Sequence, residues 1–365
     1  QKVLQLISKH YPDTMKPYSL ELFNQTLQKI HALIGSEDLS EEQMAEIDEM
    51  VHTCAFFFEM QDKGTPAKNE MGKALIDLTN QIMTHHHNSA LVDTLLHYTG
   101  LVASEIDFSQ ASQELVESAN NLTMILIQAL NENFDFVYLI NKIIGYFTNI
   151  MPYLNQEIVG MIQTTCLALI NNGAEEQDCA VALFIISSTI EVHGFQIPEM
   201  LKLAFELLST IDVDGSYIAI GCITLITSAL YKTNGECFGL IPQEVLSFWI
   251  HHSDISNVSS RRDIHTWALG LLLLVSKGFA DALPVVGELL LQQFSKAKQM
   301  LGEEEDFYDL DEANDDDLEI SEFAVFPSAS VNISKMFLQF AEQAQILSQY
   351  QEDFIIDLQT KASEN

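Results

Sequence analysis

The chain has 365 residues, of which 47% are hydrophobic, and it carries 52 acidic against 17 basic side chains, a formal net charge of −35. That much apolar material predicts a folded protein with a large core, because disordered chains combine high net charge with few apolar residues. A surface this acidic repels phosphate backbones and anionic lipid, which excludes direct nucleic-acid binding and binding to acidic membranes. It attracts basic ligands, most commonly basic proteins, although the same charge could serve only to keep the chain soluble.

Helical periodicity runs through the chain from its first clear element. Apolar side chains recur every three to four positions, which is the spacing of an amphipathic helix. The first such series is Leu20, Phe23, Leu27, Ile30 and Ile34. Short breaks that end in glycine separate the helices at 172–173, 193–194 and 234–235, and alternating strand patterns are absent from the sequence. The sequence therefore predicts an all-α protein.

Prolines mark the starts of successive helices in the second half of the chain. Pro152, Pro198, Pro242 and Pro284 are spaced by 46, 44 and 42 residues. Proline suits the first helical turn because its missing N–H needs no partner there. Strongly apolar helices are predicted between them, over Cys179–Val192, Ser216–Tyr231 and Asp263–Ser276. The repeating unit is thus a helix pair with a period within the roughly 40–47 residues of HEAT and armadillo repeats.

The same spacing extends toward the amino end. Pro66 opens a helix predicted over Ala67–Met83, Ser109 is predicted to cap a helix over Gln110–Leu130, and Pro17 begins the array. We therefore predict an α-solenoid of HEAT-type helix pairs over residues 1–302, in preference to a compact helical bundle. Each pair in such an array buries its face only against neighbours, and the resulting concave surface usually holds proteins or peptides.

An acidic segment, Glu303–Glu322, interrupts the array with twelve Asp or Glu and no Lys or Arg. Such a density of like charges disfavours a helix, so residues 303–330 are predicted to be an acidic flexible loop. It lacks the spacing and the internal glycine of a calcium loop. A purely solvating loop and a contact for basic cargo both remain open. The candidate partner-binding residues are Glu303, Glu304, Glu305, Asp306, Phe307, Tyr308, Asp309, Asp311, Glu312, Asp315, Asp316, Asp317 and Glu319. Residues 331–365 are predicted to form C-terminal helices that pack on or cap the array.

Catalytic, metal and cofactor sites are not predicted. His85-His86-His87 and His251-His252 adjoin helix ends, and neither has further Cys or His ligands at zinc spacing. Sequence motifs for hydrolases, zinc proteases and phosphate loops are absent, so an enzyme is not expected. Arg261-Arg262 is interpreted as part of an interhelical ion-pair set with Asp254 and Asp263.

The cysteines indicate the redox compartment of the protein, and the lengths of the apolar runs indicate whether it spans a membrane. Five cysteines without a CxxC pair predict free thiols in a reducing compartment. Cys54, Cys166 and Cys222 lie within apolar helical runs and are predicted to be buried. The apolar runs Cys179–Val192 and Ile218–Tyr231 are shorter than the roughly 18–20 residues of a membrane span, and charges interrupt Leu269–Leu291. Membrane insertion is therefore not expected. The chain opens at Gln1 without an initiator Met, which predicts a fragment of a longer protein.

One stretch carries a family resemblance. Residues 242–275 combine the helix end Phe248-Trp249-Ile250, a short Asp-bearing loop, and Arg261-Arg262-Asp263 opening a helix of the form WALGL. This order, followed by the helix Leu283–Met300 and the acidic segment, resembles the late HEAT repeats of the importin-β superfamily of nuclear transport receptors. The branch with CAS and the importin seven and eight type receptors is the most similar, and residues 134–154 resemble another of its repeats. The resemblance covers roughly residues 131–322.

The resemblance implies a receptor that carries basic proteins through nuclear pores. Its partners would be basic cargo, the small GTPase Ran and Phe-Gly nucleoporins, and it would act as a monomer that shuttles between cytoplasm and nucleus and visits the nuclear envelope. The alternative from another class is a static HEAT-repeat scaffold subunit of a multiprotein complex. That alternative predicts fixed partners and no response to Ran-GTP.

Overall fold

The computed structural model describes residues 12–35, 39–85, 91–132, 140–210, 217–251, 261–302 and 324–363. Within these ranges the chain forms 15 α-helices longer than one turn, joined by short turns and single 3-10 turns, and no strand. The predicted all-α class is thereby confirmed for the described part. In chain order the helices are α1 Ser19–Ile34, α2 Glu41–Glu59, α3 Pro66–His85, α4 Leu91–Glu105, α5 Gln113–Glu132, α6 Ile140–Ile150, α7 Gln156–Asn171, α8 Glu176–His193, α9 Ile197–Leu208, α10 Tyr217–Lys232, α11 Gln243–His251, α12 Arg261–Val275, α13 Ala282–Gly302, α14 Ile333–Gln343 and α15 Glu352–Ser363.

Four of these prolines lie at helix starts, as predicted, and the prediction for Pro152 is wrong. Pro66 is the first residue of α3, Pro198 the second of α9, and Pro242 directly precedes α11. Pro284 is the third residue of α13, whereas Pro152 lies in the 3-10 turn Met151–Tyr153, which directly follows the end of α6. At the four helix starts the backbone N–H groups have no partner within the helix, so the missing donor of proline costs nothing.

The predicted cap at Ser109 is wrong. Helix α5 begins only at Gln113, and the Ser112 hydroxyl oxygen accepts the Leu115 N–H at 3.3 Å. Ser109 instead donates its N–H and its hydroxyl to Asp107 Oδ1, at 3.0 Å and 2.6 Å. The carboxylate of Asp107 therefore closes a local turn that competes with helix formation.

The chain divides into two compact units. The first unit comprises residues 1–165 with 320–325, and the second comprises residues 166–319 with 326–365, so the division falls within α7. In the first unit α1 contacts α3 and α3 contacts α5, while α2 contacts α4 and α4 contacts α6. The pairs α1–α2 and α3–α4 also pack together. Each helix thus contacts the next helix or the next but one.

The second unit is built around a row formed by α8, α10, α12 and α14, in which each helix contacts the next member of the row. Helix α9 packs on α10, α13 packs on α12 and α14, and α15 packs on α13 and α14. Every residue of 179–191 in α8 and of 221–230 in α10 is buried. A helix that is apolar on all sides is stable only when it is covered on all sides, which explains the lack of amphipathic periodicity in these two elements.

Two glycines let the helices of this row approach closely. A Cβ built on Gly221 of α10 would lie 2.8 Å from Leu183 Cδ1 and 3.3 Å from the Ala180 Cα of α8. A Cβ built on Gly270 of α12 would lie 2.4 Å from both Thr227 Oγ1 and the Trp249 ring. Contacts this short leave no room for a methyl group, so the close packing of the row depends on these glycines.

The five cysteines are free and buried, which confirms the predicted burial of Cys54, Cys166 and Cys222 and extends it to Cys179 and Cys237. Burial raises the pKa of the Cys54 and Cys166 thiols to about 12 and raises that of Cys222 further. Because the thiolate is the reactive form, we expect a thiol reagent to leave these thiols unmodified in the native protein at pH 8. In denaturant all five should react, and the release of a chromogenic thiol measures both states. Rapid native modification of any of the three would contradict the packing described.

No helix in the described part of the chain combines the length and the apolar character needed to cross a membrane.

Candidate partner-binding face

The predicted partner-binding residues, Glu303 to Glu319, lie outside the described residues, as do His86, His87, His252 and Asp254. The chain is described again from residue 324 onward, directly after the acidic segment. Residues 326–330, which we call the strap, contact α8 and α12 of the second unit. Three side chains contact the strap directly, and they are Phe184, Glu191 and His265. Two more support them, since Ser228 binds Glu191 and Arg262 lies over Phe184. We call these five side chains the seat.

A buried carboxylate organises the seat. Glu191, near the end of α8, is only 5% exposed. Its Oε1 accepts hydrogen bonds from the hydroxyls of Ser328 and Ser228, both at 2.7 Å, and its Oε2 accepts the Ser328 N–H at 2.9 Å. Burial raises the pKa of Glu191, and the three hydrogen bonds act in the opposite direction. A carboxylate can be buried when donors saturate its oxygens, and here the strap supplies two of the three.

Lys232 adds a second set of contacts at the end of α8. Its ammonium donates to the backbone carbonyl oxygens of Glu191 and Val192, at 3.1 Å and 2.7 Å. A cation at this place complements the negative end of the helix dipole and satisfies carbonyls that lack partners within the helix. The lysine therefore fixes the helix end that carries the carboxylate.

The aromatic part of the seat binds the start of the strap. Phe326 packs edge-on against Phe184 of α8, with ring centroids 6.4 Å apart. The Arg262 guanidinium lies over the Phe184 ring, 4.7 Å from its centroid. The same guanidinium donates to Asp263 Oδ1 at 2.7 Å. His265 Nε2 lies 3.3 Å from the Ser328 carbonyl oxygen, so α12 contacts the strap at Ser328.

The structure changes the interpretation of the arginine pair. Asp263 does accept from Arg262, but both residues belong to α12, so this ion pair lies within one helix. The predicted partner Asp254 lies outside the described residues. His251 is the last residue of α11, where its Nδ1 lies 2.6 Å from the Ser247 carbonyl oxygen. Among the described residues, no three His, Cys, Asp or Glu side chains are grouped closely enough to hold a metal ion.

Sequence reasoning missed the seat altogether. Glu191 belongs to the run Cys179–Val192, whose composition predicts only an apolar helix. The available signal was this single acidic residue within an otherwise apolar and small-polar run. An ionisable group in that position needs donors from elsewhere in the fold. The sequence does not indicate that a residue 137 positions later provides them.

A second carboxyl on α8 gives a pH-dependent expectation. Burial, together with the negative charge of Glu175, raises the pKa of Asp178 from 3.8 to about 6. The ionised form is therefore less favourable in the folded state, so this group lowers stability as pH rises from 3.8 to about 6. We expect Asp178→Asn to stabilise the protein at pH 7 by about 1 kcal/mol, after allowance for solvent screening.

The measurement is denaturant unfolding of wild type and Asp178→Asn at pH 7, 5 and 4. The advantage of the variant should shrink as the pH falls from 7 to 5, and most of it should be lost at pH 4, close to the unfolded-state pKa of 3.8. Asp77→Asn serves as a control, since Asp77 is ion-paired with Lys73 at 2.8 Å and removing it should not stabilise the protein. An advantage for Asp178→Asn that is constant with pH would contradict the expectation.

Comparisons of the chain with protein-family models, curated proteins and solved structures give no match.

Proposed function

We propose that this chain is a protein-binding nuclear transport receptor of the importin-β type, or its carboxyl-terminal part, which holds basic protein cargo. The observation that carries the proposal is the acidic segment, which follows α13 in a chain of net charge −35. Twelve carboxylates without a single basic residue form a strong attractive field for a basic protein. This field would speed association and favour Lys- and Arg-rich partners over others.

The helix packing supports the architectural part of the proposal. In the first unit, helices separated by one element stack on each other, and the same holds for the row α8, α10, α12 and α14 in the second. Stacking of alternate helices is what arrays of helix pairs produce. We therefore infer HEAT-type repeats that form an α-solenoid with a concave acidic surface. By family resemblance the further partners are Ran and Phe-Gly nucleoporins, and the location is cytoplasm and nucleus with visits to the nuclear envelope.

The experiment is a pull-down from cell extract with the immobilised chain, in the presence and absence of excess Ran-GTP. Transport receptors exchange cargo in response to Ran, so we expect basic proteins or Phe-Gly nucleoporins to be captured and their amounts to change with Ran-GTP. A fixed set of subunits that does not respond to Ran-GTP would support the scaffold alternative and contradict the transport proposal.

A matched pair of variants isolates the acidic segment in the same experiment. In the first, its twelve acidic residues become Asn or Gln, which keeps the chain length and leaves the strap intact. In the second, the order of residues 303–322 is scrambled, which keeps the charge. We expect the neutral variant to lose the basic proteins and the scrambled variant to keep them, because attraction at this density depends on charge more than on order. Equal capture by both variants would exclude the segment as a cargo contact.

A further inference from the structure

The seat places a carboxylate in a layer that is otherwise uncharged. Residues 179–190 of α8 and 221–230 of α10 are buried and carry only apolar or small polar side chains, whereas the next residue of α8, Glu191, carries a carboxylate. A permanent core contact is at least as stable when it is made from apolar groups, because burying a charge costs desolvation. A carboxylate is better suited to a surface that is exposed to solvent for part of the time, because water donates hydrogen bonds to it when the bound segment dissociates.

The strap is held by few side chains. Phe326 and Ser328 are buried, at 8% and 6% exposure, but Val325 before them is 51% exposed. Ala329 and Ser330 after them are also exposed. A segment fixed by two side chains can open without unfolding the helices beneath it, because local opening scales with the contacts that are broken.

The contacts define what the seat recognises. The Ser328 N–H that binds Glu191 Oε2 is a main-chain group, which most residue types can supply. The Phe184 ring contacts an aromatic ring, and Glu191 Oε1 accepts a hydroxyl two positions later in the chain. Main-chain hydrogen bonds give affinity and such side-chain contacts give specificity in peptide recognition.

We infer that the seat is a binding site for a short peptide segment, which the chain fills with its own strap. The partner is a protein segment that presents an aromatic side chain two residues before a Ser or Thr. Such a segment competes with residues 326–328 for Phe184 and Glu191. This site is separate from the acidic segment and does not depend on the transport proposal.

The test uses a fluorescent peptide of residues 324–332 and fluorescence anisotropy. The double variant Phe326→Ala/Ser328→Ala removes both anchors and frees the seat in the full-length chain. We expect it to bind the peptide, and wild type to bind at least about tenfold more weakly, because the tethered strap competes at an effective concentration in the millimolar range. A peptide with alanine in place of Phe326 should not bind.

A third variant tests whether peptide binding depends on the carboxylate of Glu191. Adding Glu191→Ala to the double variant should weaken peptide binding by about tenfold or more, since the peptide N–H and hydroxyl lose their acceptor. The matched control adds Glu199→Ala on α9, an exposed acidic residue that should leave binding unchanged. Failure of the folded double variant to bind the peptide, with folding verified by circular dichroism, would overturn the inference.

Hydrogen exchange of the wild-type protein tests the inference without any substitution. Hydrogen exchange of the Ser328 amide should occur through local opening, at a rate well above that of the amides of α10. If the strap amides exchanged only when the amides of α10 did, the strap would be a permanent part of the core. That result would contradict the inference.

Discussion

Phe326→Ala is expected to speed the hydrogen exchange of the Ser328 amide by about two orders of magnitude. The phenylalanine is buried and packs edge-on against Phe184. Truncating a buried Phe costs about 3–5 kcal/mol, and the lower figure applies here because the strap lies at the protein surface. Lowering the free energy of strap opening by about 3 kcal/mol corresponds to roughly a hundredfold faster exchange of the amide.

The control is Val325→Ala, which removes the neighbouring apolar side chain. Val325 is 51% exposed, so its truncation should change the exchange of the Ser328 amide by less than about threefold. Mass spectrometry of the peptide that contains residues 326–330 measures both variants. Equal exchange in the two variants would mean that Phe326 does not hold the strap in its seat, and the description of the aromatic contact would be wrong.

Gly270→Ala is expected to destabilise the second unit by about 2 kcal/mol. The new methyl group would lie 2.4 Å from Thr227 Oγ1 and from the ring of Trp249, which is fully buried. Neither neighbour has room to move, so α12 must shift away from α10 and α11. Overpacking of this kind costs about 1–3 kcal/mol, and the higher helix propensity of alanine offsets it by at most about 1 kcal/mol.

Gly239→Ala is the matched control for this substitution. Gly239 lies in the 3-10 turn Glu236–Leu240, and a Cβ built there has no atom within 4 Å. Its replacement should change the free energy of unfolding by less than about 0.5 kcal/mol. Denaturant unfolding at 25 °C compares the two variants. A Gly270→Ala protein as stable as wild type would show that α12 does not pack closely against α10 and α11.

Local signals in the sequence predict the helices well. The run Cys179–Val192 lies within α8, and Pro66 and Pro198 mark starts that depend only on the chemistry of the first helical turn. Ser109 shows the limit of such signals, because the sequence predicts a cap there and the structure places the capping hydroxyl at Ser112. The choice between them depends on the Asp107 side chain, which draws Ser109 into a turn of its own.

The seat could not be predicted, because it depends on contacts between distant parts of the chain. Ser328 binds a carboxylate on α8, and Phe326 meets a ring on the same helix. Neither pairing has a spacing rule, and short-range periodicity carries no information about either. For the candidate partner-binding residues of the acidic segment, the sequence establishes their negative charge. That charge motivates the proposed function.

The most direct test of the account is a titration of a fluorescent Lys- and Arg-rich peptide with the intact chain at about 50 mM and about 150 mM salt. The neutral variant of residues 303–322 is titrated in parallel. We predict that the intact chain binds, that its affinity falls about tenfold across this salt range because screening shortens the reach of the carboxylates, and that the neutral variant binds weakly at both concentrations. Salt-independent binding, or equal affinity of the two proteins, would contradict the claim that the acidic segment holds basic proteins.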